Sequence, residues 1–115
     1  MTVYALAHLR TPTANAEVVR YLERIQETLT PYGGRFLVHG PKVEVVEGEW
    51  PGTVVILEFA KRDDAHAWYE SPEYQEILPL RTNNIEADVI LVDGVPPGYD
   101  ARLTADRMRA SLEAS

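Results

Sequence analysis

Apolar and polar positions alternate along the chain in a way that divides it into short elements. In "VYALAHLR" (3–10), Val3, Ala5, Ala7 and Leu9 share one parity, and Tyr4, Leu6, His8 and Arg10 share the other. A period of two predicts a strand. "TPTAN" breaks the pattern, with Asn15 or Thr13 as a helix cap. From 16 to 30, Val18, Tyr21, Leu22, Ile25 and Leu29 recur every three or four positions. That spacing predicts an amphipathic helix with Glu17, Arg20, Glu23, Arg24 and Glu27 on its wet side. Pro31 and the Gly33-Gly34 pair stop it.

"RFLVHG" (35–40) reads as a short strand and "KVEVVEG" (42–48) as a second strand-like piece. After the turn "EWPG", "TVVILEFA" (53–60) is the most apolar strand of the chain. A helix capped by Asp63 or Asp64 runs through Trp68 and Tyr69. Ser71-Pro72 breaks it and opens another, "SPEYQEILPLR", which Pro79 ends or kinks. "EADVILVDG" (86–94) is the last strand. "VPPG" is a stiff linker, and "YDARLTADRMRASLEAS" reads as helix to the end. The order β-α-β-β-α-β predicts an α+β, ferredoxin-like sandwich: four antiparallel strands with helices on one face, and an extra C-terminal helix. The chain thus divides into a domain over 1–95 and a linker with helical extension over 96–115.

Two helices cover only one face of such a sheet. In "TVVILEFA" both parities are apolar, with Val55, Leu57 and Phe59 on one and Val54 and Ile56 on the other. The second face is therefore expected to be buried, most simply by a second copy in a two-fold homodimer. Tyr4, His8, Arg10, Arg35, His39 and Glu58 each lie on the parity opposite to the more apolar set of their own strand. They are expected to share the face away from the helices. Buried polar groups need partners, so these would pair with one another or with a ligand.

Composition narrows the functional classes. The 115 residues suit one domain, and 45% hydrophobic with 25% charged is ordinary for a globular chain. Eighteen acids against eleven bases give a formal charge of −7, which disfavours nucleic acid and anionic membrane as partners. The absence of cysteine excludes disulfides, thiolate nucleophiles and cysteine-based metal sites. No signal-like start and no membrane-length apolar run are present, which leads to the expectation of a cytoplasmic protein. No phosphate-cradling glycine pattern, Gly-x-Ser-x-Gly or helical histidine pair occurs. His8, His39 and Glu58 lack the spacing of a metal set, so neither metal nor cofactor is expected.

"YGGRFLVHGPKVEVVEGEWPGTVVILEFAKRDDAHAWYESPEYQEILPLR" resembles the DUF1330 family. The shared pattern is Gly33-Gly34-Arg35, then Glu47-Gly48 and Trp50, then Glu58-Phe59, then Trp68-Tyr69, Ser71, Tyr74 and Arg81. The blocks occur in order over residues 3 to about 95. The resemblance implies a dimeric α+β barrel, in which two ferredoxin-like sheets pack face to face around a cavity. It does not imply a reaction. The wider superfamily spans cofactor-free oxygenases, haem-handling enzymes, isomerases and cyclases. His39 stands where the family more often has Arg, and the tail from Tyr99 runs past the family's usual end.

These residues leave two readings of each candidate. Trp68, Tyr69 and Tyr74 are core aromatics or a ligand wall. Arg81 pairs with a carboxylate such as Glu58 or Glu73, or forks onto a ligand carboxylate or enolate. Glu58 braces Arg35 or accepts a proton. His39 and His8 hydrogen-bond at a dimer seam or shuttle a proton. The leading functional expectation is a homodimer binding a small organic molecule in the barrel cavity. His39, His8 and Glu58 would then carry cofactor-free proton transfer (isomerisation, cyclisation or decarboxylation). Arg35, Arg81, Tyr4, Tyr69 and Tyr74 would contact the ligand. A non-catalytic binding or interaction module is the alternative, with haem or flavin handling and monooxygenase chemistry behind it.

Overall fold

The computed structural model describes residues 1–114; Ser115, which the sequence pattern carries into the last helix, lies outside the described residues. Four strands form one antiparallel sheet: β1 (Val3–Leu9), β2 (Arg35–His39), β3 (Thr53–Phe59) and β4 (Ala87–Asp93). Their order across the sheet is β2-β3-β1-β4, the ferredoxin-like arrangement. Helices α1 (Ala16–Leu29), α2 (Arg62–Glu70) and α3 (Pro72–Thr82) fill the connections, and α4 (Ala101–Ala114) follows β4. Among the described residues no helix is long and apolar enough to cross a membrane.

Local chemistry sets the helix ends. Asn15 is extended and its Oδ1 accepts from the Val18 N–H at 2.9 Å, satisfying one orphan donor of α1. Ser71 does two jobs between α2 and α3. Its Oγ donates to the Trp68 carbonyl at 2.7 Å and accepts from the Tyr74 N–H at 3.2 Å. Pro72 then occupies the first turn of α3, where a missing N–H costs nothing. Pro79 does not end α3, which continues to Thr82. Neither Asp63 nor Asp64 caps α2: Lys61 holds that position, and the two carboxylates sit in the first turn, where they meet the positive end of the helix dipole. The strand-like segment 42–48 is loop: among the described residues it pairs with no strand, although β2 leaves an open edge.

One sheet face carries Val3, Ala5, Leu57 and Phe59 into a core with Tyr21, Ile25 and Leu29 of α1, Ala65 and Trp68 of α2, and Tyr74 and Ile77 of α3. Burying each large side chain of this set is worth about 1.5–3 kcal/mol, so this layer carries most of the fold's stability. The polar tips inside it are matched. Trp68 Nε1 donates to Thr28 Oγ1 at 2.9 Å, and Thr28 Oγ1 donates to the Ile25 carbonyl at 2.7 Å. The Tyr21 and Tyr74 hydroxyls meet at 2.8 Å and tie α1 to α3. Gly34 admits this packing, since a Cβ there would lie 2.6 Å from Phe59 Cε1.

The other face carries Leu6, Val54, Ile56, Ile90 and Val92. Among the described residues no helix covers it; Ile90 and Val92 stay 52% and 40% exposed. Arg35 lies on this face opposite Glu58. His39 does not, which corrects the expectation drawn from parity. Phe36 pairs with Leu57 and Val38 with Ile56, so Leu37 is an extra residue in β2. Such a bulge moves every later side chain to the opposite face. His39 consequently pairs with Val55 and stands on the helix side, stacked on Phe36 with ring centroids 4.3 Å apart.

Two consequences are measurable. Gly52 has φ +114, and a Cβ there would fall 1.8 Å from the Leu9 carbonyl oxygen. Gly52→Ala should cost about 2 kcal/mol or more in chemical denaturation, and an unchanged midpoint would contradict this turn geometry. Burial, reinforced by Tyr74, pushes the Tyr21 hydroxyl pKa well above its ordinary value despite the opposing pull of Arg81. A pKa higher in the folded state gives stability that is complete below the unfolded value, about pH 10, and declines as pH rises beyond it. Tyr21→Phe should flatten that alkaline decline relative to the wild type in urea midpoints; parallel curves would contradict it.

Candidate functional site

A sizeable interior space follows from small side chains on β1. Ala5 and Ala7 sit on the helix face of the sheet's inner strands, beside Val55 and Leu57 of β3. They leave a cavity of about 380 Å³ under α1, α2 and α3. Trp68, Tyr69 and Tyr74 wall one side, and Phe36 and His39 line it from β2. Tyr74 is buried, its ring 4.1 Å from that of Trp68, while Tyr69 is half-open to solvent.

Arg81 supplies the charge. It stands in the last turn of α3, half-buried, with its guanidinium 5.9 Å from the centre of the Tyr21 ring. Among the described residues it makes no ion pair; the expected partners Glu58 and Glu73 are not beside it. The charge lies beside the Tyr21 and Tyr74 hydroxyls, which hydrogen-bond to each other at 2.8 Å. Burial pulls the guanidinium pKa down, and those two tyrosines more than offset it, so the group stays cationic. A mostly apolar hollow thus contains a cation and two linked hydroxyls. That combination can orient an anionic group while aromatic rings hold an apolar body.

The eight residues singled out from the sequence divide equally between the two sheet faces. His39, Tyr69, Tyr74 and Arg81 line the cavity. Tyr4, His8, Arg35 and Glu58 lie on the uncovered face, with the sheet between the two groups. There, Arg35 Nε donates to Glu58 Oε1 at 2.7 Å, and Tyr4 pairs across the strand with Glu58. His8 Nε2 donates to the Pro51 carbonyl at 2.7 Å and its ring stacks on Trp50 at 4.0 Å. The two histidines therefore do not share one cavity in the protomer. Tyr21 joins the site although sequence periodicity places it only in the apolar stripe of α1. Its signal was a hydroxyl in a stripe that is otherwise hydrocarbon. Among the described residues no three His, Asp or Glu side chains converge as a metal set.

Comparison with known proteins places this arrangement. A protein of unknown function from Rhodopseudomonas palustris matches with a TM-score of 0.66 at 16% identity, over 84% of each chain. A dimeric ferredoxin-like protein of unknown function from Jannaschia sp. CCS1 matches with a TM-score of 0.60 at 15% identity, over 82% of this chain and 100% of that one. SnoaB, a cofactor-independent oxygenase from Streptomyces nogalater, matches with a TM-score of 0.59 at 13% identity, over 86% and 98%. At these identities the likeness is one of fold. No curated protein matches the chain. Residues 2–95 match DUF1330, a domain of unknown function, and the chain belongs to that family.

Proposed function

We propose that the chain binds a small, largely apolar organic anion in the cavity between the sheet and the helices. The observation that carries this reading is Arg81, a half-buried cation that lies against tyrosine hydroxyls and makes no ion pair among the described residues. A charge removed from water needs a counter-charge, and a ligand carboxylate or enolate supplies one as a two-pronged acceptor. Trp68, Tyr69 and the stacked Phe36–His39 pair give flat apolar walls for the rest of the molecule.

We further propose that two copies pair through the uncovered sheet face. Its apolar centre of Leu6, Val54, Ile56, Ile90 and Val92, rimmed by Tyr4, His8, Asp88 and the Arg35–Glu58 pair, supports an isologous interface. The dimeric ferredoxin-like neighbour supports the same reading. The Arg35–Glu58 pair then braces the interface, and the ligand site belongs to each protomer separately.

A second reading adds chemistry to the binding. His39 brings an imidazole to the cavity from β2, and imidazole is the side chain best suited to take and return a proton near neutral pH. With Arg81 and the tyrosine hydroxyls stabilising an enolate, the site would perform cofactor-free proton transfer. The likeness to a cofactor-independent oxygenase fits a fold that works without a bound cofactor, and it supplies no residue role.

Trp68 in the wall gives a fluorescence signal for binding. Benzoate and 2-naphthoate should bind, and the matching carboxamides should not. Arg81→Gln should weaken carboxylate binding by about tenfold or more, the loss of a charge-assisted hydrogen bond. Equal binding of acid and amide, or no effect of the substitution, would remove Arg81 as the anchor. For the chemistry, the wild type should speed exchange of the α-protons of phenylpyruvate in deuterated water, followed by NMR. His39→Gln should abolish that exchange while leaving binding in place. Equal exchange in the variant would take His39 out of the mechanism.

A further inference from the structure

The C-terminal helix has no home on its own protomer. None of the residues of α4 is buried, and the molecule is drawn out to 55 Å along its longest axis. A 14-residue helix is marginal in water without tertiary packing. Yet its base is well built. The Tyr99 N–H donates to the Pro96 carbonyl at 3.2 Å, and the Arg102 N–H donates to Asp100 Oδ1 at 2.8 Å. Tyr99 and Thr104 are joined by a hydroxyl–hydroxyl hydrogen bond. Pro96 and Pro97 stiffen the connection. The linker thus holds α4 out as an arm. Ala105, Met108 and Leu112 make its apolar stripe, with Met108 61% and Leu112 73% exposed.

A matching surface stands at the other end of the sheet. The loop from 42 to 50 exposes Val45 and Val46, the latter 91% exposed, among Glu44, Glu47 and Glu49. Among the described residues none of these three glutamates makes an ion pair. The arm carries Arg102, Arg107 and Arg109; Arg102 pairs with Asp100 and Arg109 with Asp106, so Arg107 is its one arginine without an ion pair among the described residues. Apolar groups and opposite charges therefore face solvent on two separate elements.

Topology says why the two do not meet within one chain. β4 ends at Asp93, opposite Val3, whereas the loop enters β3 at Thr53, opposite Leu9. Six residue steps separate them by roughly 20 Å along the sheet. Both nevertheless emerge beside the uncovered face. Gly94, where the linker begins, lies so close to Tyr4 that a Cβ would come 2.9 Å from its ring. The loop's base, Trp50–Pro51, is fastened to His8. Tyr4 and His8 both belong to that face. A two-fold axis running across the strands exchanges the two ends of the sheet.

We propose that α4 docks in trans on the 42–50 loop of a second copy of this chain, Met108 and Leu112 against Val45 and Val46, with Arg107 facing Glu44, Glu47 and Glu49. The inference rests on the dimer proposed above and adds its axis and its clasp. Each copy contributes one arm and receives one, so the dimer carries two such clasps.

The chain has no native cysteine, so engineered cysteines report cleanly. The double variant Val46→Cys/Met108→Cys of the full chain is treated with a short bis-maleimide and read on a denaturing gel. Groups held together in a dimer meet at an effective concentration near millimolar, so at micromolar protein the double variant should form covalent dimer at least about tenfold faster than either single variant. High salt should slow the reaction by screening the Arg–Glu contacts. Val45→Cys/Leu112→Cys repeats the test should the first pair fail to fold. Dimer no faster than in the single variants, or an internally linked monomer, overturns the docking in trans. Native mass spectrometry of the wild type separates the two layers. A dimer there with no cross-link leaves the paired sheets and removes the clasp; a monomer removes both.

Discussion

A four-stranded sheet has two faces, and the helices of this chain cover one. Everything else in the protomer follows from how that limit is met. On the covered side, Val3, Leu57 and Phe59 pack against α1, α2 and α3 as a dense core. On the other side, Leu6, Val54, Ile56, Ile90 and Val92 form an apolar surface that no helix among the described residues covers. An exposed patch of this kind on a stable protein marks an interface. The same limit places the arm α4 and the 42–50 loop at opposite ends of that surface, beside Tyr4 and His8.

The cavity arises within the covered side because that layer is incomplete. Alanines at 5 and 7 leave space over the sheet that the aromatic side chains of α2 and α3 wall without filling. Most polar tips facing the core are consumed by neighbours: Trp68 by Thr28, and Ser71 by the α2–α3 junction. Arg81 is the exception in kind, since its neighbours are neutral hydroxyls and not a carboxylate. Charge balance at that point is what a ligand would restore.

Element types and order were largely legible in the sequence, because periods of two and 3.6 report which side of an element is buried. β1 and α1 show this well, as does the Ser71-Pro72 break between two helices. What the pattern could not show was the extra residue in β2. Residues 35 and 39 have the same parity, so counting alone puts Arg35 and His39 on one face. Leu37 breaks the count through backbone hydrogen bonding, which leaves no mark in composition. The same error joined His8 to His39 as partners. Segment 42–48 misled for a related reason: alternation describes a strand's side chains but not whether the segment pairs with a neighbour. Arg81 was legible as a candidate, whereas its true neighbours depended on how α3 crosses α1. Tyr21 and Tyr74 are 53 positions apart in sequence, a separation that periodicity does not bridge.

The most direct test of the central claim is to ask which sheet face receives the ligand. NMR shift mapping of labelled protein titrated with 2-naphthoate reads both faces at once. The account predicts shifts at Tyr21, His39, Trp68, Tyr74 and Arg81, with Tyr4, His8, Arg35 and Glu58 unmoved. Shifts confined to the second group would place the ligand between paired sheets and contradict the site described above.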